Sequence, residues 1–96
     1  MADFEIHHET SNDQGRFVIC KDGDEAELTF TRRSPGVVSA DHTGVPDSFH
    51  GTGAGKALVE ALVKDARENG YRIVPLCTFV DAMRRRHPEW ADQFTS

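Results

Sequence analysis

The stretch "HGTGAGKAL", His50 to Leu58, decides how the rest of the chain is read. Gly51, Gly53 and Gly55 alternate, Lys56 follows, and an alanine- and leucine-rich run begins at once. Glycines placed this way let backbone amides approach an anion where a Cβ would collide. A helix starting there adds unpaired N–H groups and the positive end of its dipole. Spacing excludes two phosphate loops. A P-loop needs a glycine five residues before its Gly-Lys pair and a hydroxyl after it; His50 and Ala57 stand in those places. The dinucleotide fingerprint sets its third glycine three residues after the second, whereas Gly55 follows Gly53 by two. What remains is an anion loop of another kind, or a glycine-rich turn that starts an ordinary helix.

On the C-terminal side of the loop the apolar period is helical. Leu58, Ala61, Leu62 and Ala66 share one face between Gly53 and Asn69, Val59 and Val63 widen it, and Asn69-Gly70 supplies a stop. "YRIVPLC" reads as a short buried strand and "TFVDAMRRRH" as a second helix ended by Pro88. On the N-terminal side the period is two. Phe4 and Ile6 alternate in "DFEIHHE", "RFVICK" follows the turn signal at Asn12 to Gly15, and Asp22-Gly23-Asp24 marks a hairpin. "EAELTFTRR" turns Ala26, Leu28 and Phe30 inward; Ser34-Pro35-Gly36 turns the chain into "VVSADHT". Short turns imply an antiparallel meander, and a strand, helix and strand imply a right-handed parallel crossover. The expected class is α+β: a mixed sheet whose meander leads into a β-α-β crossover and a C-terminal helix.

A chain of 96 residues fits one domain over residues 1–96, and 38% apolar with 28% charged residues is ordinary for a soluble fold. No apolar run reaches the roughly 20 residues of a membrane span, and "MADFEIHHET" lacks the pattern of a secretory signal. A cytoplasmic protein is expected, as a monomer or weak dimer, with no membrane partner. The net charge of −5 argues against nucleic acid as a partner. Cys20 and Cys77 lie far apart, no His-x-x-His pair occurs, and no metal is expected.

The loop also fits Gln/Arg-x-x-Gly-x-Gly/Ala, the pyrophosphate loop of the GNAT N-acetyltransferases, through His50, Gly53 and Gly55. "HTGVPDSFHGTGAGKALVEALVKDAR" followed by "VPLCTFVDAMRRRHPEW" resembles the small single-domain GNAT-like members. Those carry His-Thr-x-Val-Pro, the glycine loop, Pro-Leu-Cys and a closing His-Pro-Glu-aromatic in this order, a likeness covering His42 to Trp90. The resemblance implies an acetyl-CoA-dependent N-acetyltransferase. The pyrophosphate would rest on His50, Gly51, Thr52, Gly53, Ala54, Gly55 and Lys56, and the pantetheine arm would run between the fourth and fifth strands, bonding backbone from Thr43 to Val45. A fourth-strand amide would stabilise the oxyanion. His50 replaces arginine or glutamine, and Thr52 stands where a long polar side chain is common, so weaker CoA binding is expected. No helix is expected between the first strand and the loop, which leaves the acceptor side open. That and the acidic balance favour an amine on a peptide or protein lysine. The alternative is a non-catalytic CoA-binding or sensor module; nucleotide binding at the loop is a third.

Cys77 ends a strand directly before a helix, where a dipole stabilises a thiolate. The expected role is nucleophile or base, against plain packing. His42 is expected on the same face as Val38 and Ala40, to polarise the thioester or activate Cys77, or as a structural histidine. Among Arg84, Arg85 and Arg86, Arg84 is the candidate for a CoA phosphate, against a solvated turn that complements the helix dipole. Cys20 and Trp90 are expected to pack.

Overall fold

The computed structural model describes residues 4–95. Four strands run in an antiparallel meander: β1 (Ile6–Ser11), β2 (Gln14–Lys21), β3 (Asp24–Ser34) and β4 (Val37–Gly44). Each connection is two residues long. Asn12 and Asp22 carry positive φ of 57° and 51°, and Gly23 and Gly36 follow at 85° and 80°, so the turns use the residues that tolerate the left-handed region. A 3-10 helix, Asp47–Phe49, leads through the glycine loop into α1 (Ala54–Asn69). β5 (Arg72–Pro75) then pairs parallel with β4, and α2 (Thr78–Arg86) and a second 3-10 helix, Pro88–Gln93, complete the chain. The sheet order is β1-β2-β3-β4-β5, as the meander and crossover require.

One apolar core forms on one face of the sheet. Phe17, Ile19, Ala26, Leu28, Phe30, Val38 and Ala40 meet Leu58, Val59, Leu62, Val63 and Ala66 of α1, while Val80, Met83 and Trp90 close it from the C-terminal elements. A side chain such as Leu58 or Leu62, fully buried, contributes about 1.5–3 kcal/mol relative to exposure. On the opposite face Arg16 spans Glu9 at 2.8 Å, Glu27 at 2.8 Å and Glu25 at 3.5 Å.

Three features differ from the sequence reading. Cys20 is exposed, not core, because it lies opposite Glu25 on the polar face, its Sγ 3.8 Å from the Glu25 carboxylate. β5 stops at Pro75, short of the expected Cys77, because the Leu76 N–H turns back to Val74 O and leaves the ladder. After the second 3-10 helix the chain returns to β5: Phe94 bridges Ile73 in parallel, and the Thr95 N–H donates to Ile73 O at 2.9 Å.

Candidate functional site at the fork between two strands

β4 and β5 separate after four paired residues. Val37 to Ala40 pair with Arg72 to Pro75; β4 then continues to Gly44 on β3 alone. The Leu76 N–H turns back to Val74 O at 3.0 Å, which leaves the Leu76 side chain 58% exposed. Cys77 N–H closes the fork by donating to Ala40 O at 2.9 Å. From Asp41 onward, the edge of β4 that faced β5 has no strand beside it.

Cys77 caps α2 with extended backbone (φ −72°, ψ 129°), and its carbonyl receives the Asp81 N–H at 2.9 Å. Its thiol, on a residue 9% exposed, donates to Thr43 Oγ1 at 3.3 Å. Two side chains from opposite arms thus meet in the fork.

Thr43 occupies this place because β4 carries a bulge. Thr29 pairs with His42 and Phe30 with Ala40, so Asp41 is left without a partner. One extra residue reverses the inward-outward alternation beyond it. The expected position of His42 beside Val38 and Ala40 is therefore corrected: it is exposed, on the outer face with Thr29, and its carbonyl accepts from Thr29 Oγ1 at 3.3 Å. Thr43, paired with Leu28, faces the core side and reaches Cys77 in its stead.

The glycine loop is built around a buried anchor. Phe49, 1% exposed, fixes the 3-10 helix, and its carbonyl receives both Thr52 N–H at 3.1 Å and Thr52 Oγ1 at 2.6 Å. Thr52 Oγ1 in turn accepts the Ala54 N–H at 3.2 Å. Gly51 and Gly53 sit at φ 78° and 82°, the left-handed region, and Gly53 is the N-cap whose carbonyl accepts the first helical bond, from Ala57 N–H at 2.9 Å. Among the described residues the amides of Gly51, Gly53, Gly55 and Lys56 have no protein partner. They open at the positive end of a 16-residue helix.

The three glycines serve different ends. A Cβ at Gly51 or Gly53 would touch no protein atom, so backbone conformation alone demands glycine there. Gly55 has ordinary helical backbone, but a Cβ would stand 2.6 Å from Phe79 Cζ. Phe79, in the first turn of α2, thereby couples the loop to the Cys77 segment. The sequence carries one trace of this contact, a glycine inside a helix.

The remaining expected site residues are spread around this core. Val45 is exposed just beyond β4, His50 and Lys56 are exposed on the loop, and Ala54 is buried. Arg84 is held on its own helix, Nε 2.8 Å from Asp81 Oδ1, while Arg85 takes Asp81 Oδ2 at 3.0 Å. Trp90 packs in the core and stacks on His87 at 4.2 Å between ring centroids. His87 Nδ1 lies 3.1 Å from Glu89 Oε2. Among the described residues, no group of three or more His, Cys, Asp or Glu side chains converges as a metal site. No described helix is long and apolar enough to cross a membrane.

A meander, a glycine loop opening a helix, and a fifth strand splaying from the fourth define the fold of the GNAT acetyltransferases. The profile of the GCN5-related N-acetyltransferases matches residues 16–93. The chain is also similar to a GCN5-like candidate N-acetyltransferase from Staphylococcus aureus, solved by NMR. The two share 32% identity and a TM-score of 0.76, over 100% of this chain and 92% of that one. No curated protein matches it. The chain belongs to the GCN5-related N-acetyltransferase family. It is an enzyme of the acyltransferase class.

Proposed function

We propose that this protein transfers the acetyl group of acetyl-CoA to a primary amine, with a lysine of a peptide or protein as the acceptor. The observation that carries this reading is the set of unpartnered amides at Gly51, Gly53, Gly55 and Lys56, opening beside a fork that ends at Cys77. The residues fit the ligand. Two glycines at positive φ leave open space where a Cβ would stand, so a diphosphate can reach the main chain. Lys56 adds a positive charge at the rim. The unpaired edge of β4 beyond Ala40 offers backbone groups to the pantetheine amides.

Bound acetyl-CoA supplies an acyl carbon activated as a thioester. The chain's own groups bind, orient and move protons. Loop amides hold the diphosphate, the β4 edge from Thr43 to Val45 aligns the arm, and Cys77 stands at the closed end with its S–H directed at Thr43 Oγ1. Once its proton has passed to solvent, Cys77 acts there either as a nucleophile that takes the acetyl group as the CoA thiolate leaves, or as the base that receives the amine proton. His42 is exposed on the other face of β4, so Thr43 and not His42 is the partner assigned to Cys77 in this reading. The net charge of −5 favours a cationic acceptor.

Acetyl-CoA incubated with and without a lysine-rich peptide, followed by free-thiol release, tests the reaction. Amide resonances of residues 51–56 during a CoA titration test the site. Unmoved resonances sink the reading. Moved resonances without release above background leave a CoA-binding module instead. Cys77→Ala is expected to lower kcat by about 10²-fold or more with the titration unchanged, and an acetyl group on Cys77 by mass spectrometry separates nucleophile from base.

A further inference from the structure

The β3–β4 ladder contains two irregularities, one on each strand. The register shifts at Asp41 of β4 and returns at Arg33 of β3, so the segment between, Phe30–Arg32 against Val38–Ala40, is offset by one residue from both flanks. The two residues left without a ladder partner are oppositely charged and meet: Arg33 Nη2 lies 3.5 Å from Asp41 Oδ1. Ser39, 1% exposed and the one buried polar residue of the described chain, sits between them. Its Oγ accepts from Arg33 Nε at 2.8 Å and donates to Asp41 Oδ1 at 2.6 Å. Thr31 Oγ1 donates to the second carboxylate oxygen, Asp41 Oδ2. Both oxygens of Asp41 are therefore engaged, by side chains drawn from β3 and β4.

The offset has a consequence at the fork. It puts Val38 and Ala40 on the core face where β4 pairs with β5, and then restores Thr43 to that face where β4 runs alone. A strand without the slip would bury one set and expose the other. Hydrophobic burial rewards Val38 and Ala40, whereas Thr43 is polar and only half-buried. Beyond Ala40 the bulge sets which face each residue of β4 takes, while pairing with β3 alone holds the strand.

We propose that Asp41 is a positioning residue: tied to Thr31, Ser39 and Arg33, its carboxylate locks the β4 bulge and so holds Thr43 against the Cys77 thiol. The inference rests on the acetyl-transfer reading for its kinetic part, but its geometric part stands alone. In Asp41→Ala the fork loosens. Here kcat is expected to fall about tenfold or more, and the KM for acetyl-CoA to rise by less than kcat falls, because the β4 edge that aligns the arm loosens while the glycine loop still holds the diphosphate. The Thr43 methyl resonance shifts and iodoacetamide alkylates Cys77 several-fold faster. Asp41→Asn, which retains an acceptor, recovers most of the loss. Thr31→Val removes one tie without altering side-chain shape, and serves if Asp41→Ala does not fold. Arg16→Ala breaks ion pairs on the same face and controls for lost stability, leaving Thr43 and Cys77 unchanged. A wild-type Thr43 resonance and wild-type alkylation rate in folded Asp41→Ala or Thr31→Val overturn the proposal. If those signals move while the wild-type protein transfers no acetyl group, the positioning role stands and the acetyl-transfer reading falls.

Discussion

The two ends of α1 are capped by the same device and finished in opposite ways. Gly53 at φ 82° begins the helix and Gly70 at φ 72° ends it. At the C-terminal end the protein satisfies itself. Gly70 N–H and Tyr71 N–H both reach Ala66 O, at 2.8 and 3.1 Å, Asn69 donates to Asp65, and Arg67 reaches Glu89 O at 2.9 Å. Tyr71 donates to Asp65 at 2.6 Å, and burial together with that carboxylate pushes the phenol well above its ordinary range. At the N-terminal end, the amides of Gly51, Gly53, Gly55 and Lys56 are left without protein partners among the described residues. A helix end that the fold could have closed, and closes elsewhere, is kept open where a ligand would dock. Open and closed ends should therefore respond differently to the same substitution.

The largest effect is expected at Gly55, where loop and α2 touch. Gly55→Ala puts a methyl 2.6 Å from the tip of the Phe79 ring. Displacing that ring costs up to about 1–3 kcal/mol, offset in part by the roughly 1 kcal/mol that alanine gains over glycine in a helix. Thermal unfolding measures the loss, and Phe79→Leu should restore part of it. An undiminished Tm in Gly55→Ala would mean that the open end is not braced by α2. Gly53→Ala comes next, because it touches both conformation and ligand. An L-residue in the left-handed region costs about 1–2 kcal/mol, and CoA affinity should fall about tenfold, near 1.4 kcal/mol, by calorimetry. Unchanged CoA affinity in a folded Gly53→Ala protein would remove the functional half of the contrast.

The open end was legible in sequence because its signals are local. Glycine spacing, the helical stripe from Leu58 to Ala66 and the Asn69-Gly70 stop all lie within one stretch. The meander was legible for the same reason, through alternation and two-residue turns. The fork was only half visible. "VVSADHT" looks regularly alternating, and a bulge at Asp41 compensated at Arg33 leaves no mark in either strand read alone. The pairing of Thr43 with Cys77, and of Gly55 with Phe79, are contacts between distant segments. Cys20 misled because an apolar run, Phe17 to Ile19, precedes it, and only cross-strand pairing shows which face it takes.

Gly70→Ala is the matched control at the closed end. Its backbone penalty should equal that of Gly53→Ala, about 1–2 kcal/mol, seen in chemical denaturation. CoA affinity should not change at all. A fall in affinity from Gly70→Ala would show that any weakening of α1 reaches the loop, and the contrast between the ends would lose its meaning.

The smallest effect is expected where the chain links both ends of the helix. Glu89 gives its carbonyl to Arg67 in the last turn of α1, while its carboxyl lies within the field of Lys56 in the first. Its own backbone N–H, then His87, then Lys56 hold that carboxyl below the usual value of 4.5. The folded state therefore prefers the ionised form, and this stabilisation is complete above the unfolded value and disappears as pH falls through the lower folded one. Compared with Glu89→Gln, the wild-type protein should keep a constant margin in Tm from neutrality down to about pH 4.5, and that margin should close on further acidification. The side chain is exposed and screened, so the margin is small. If it persists unchanged into strong acid, the carboxyl is not held by these partners, and the closing segment ties to α1 through the Glu89 carbonyl alone.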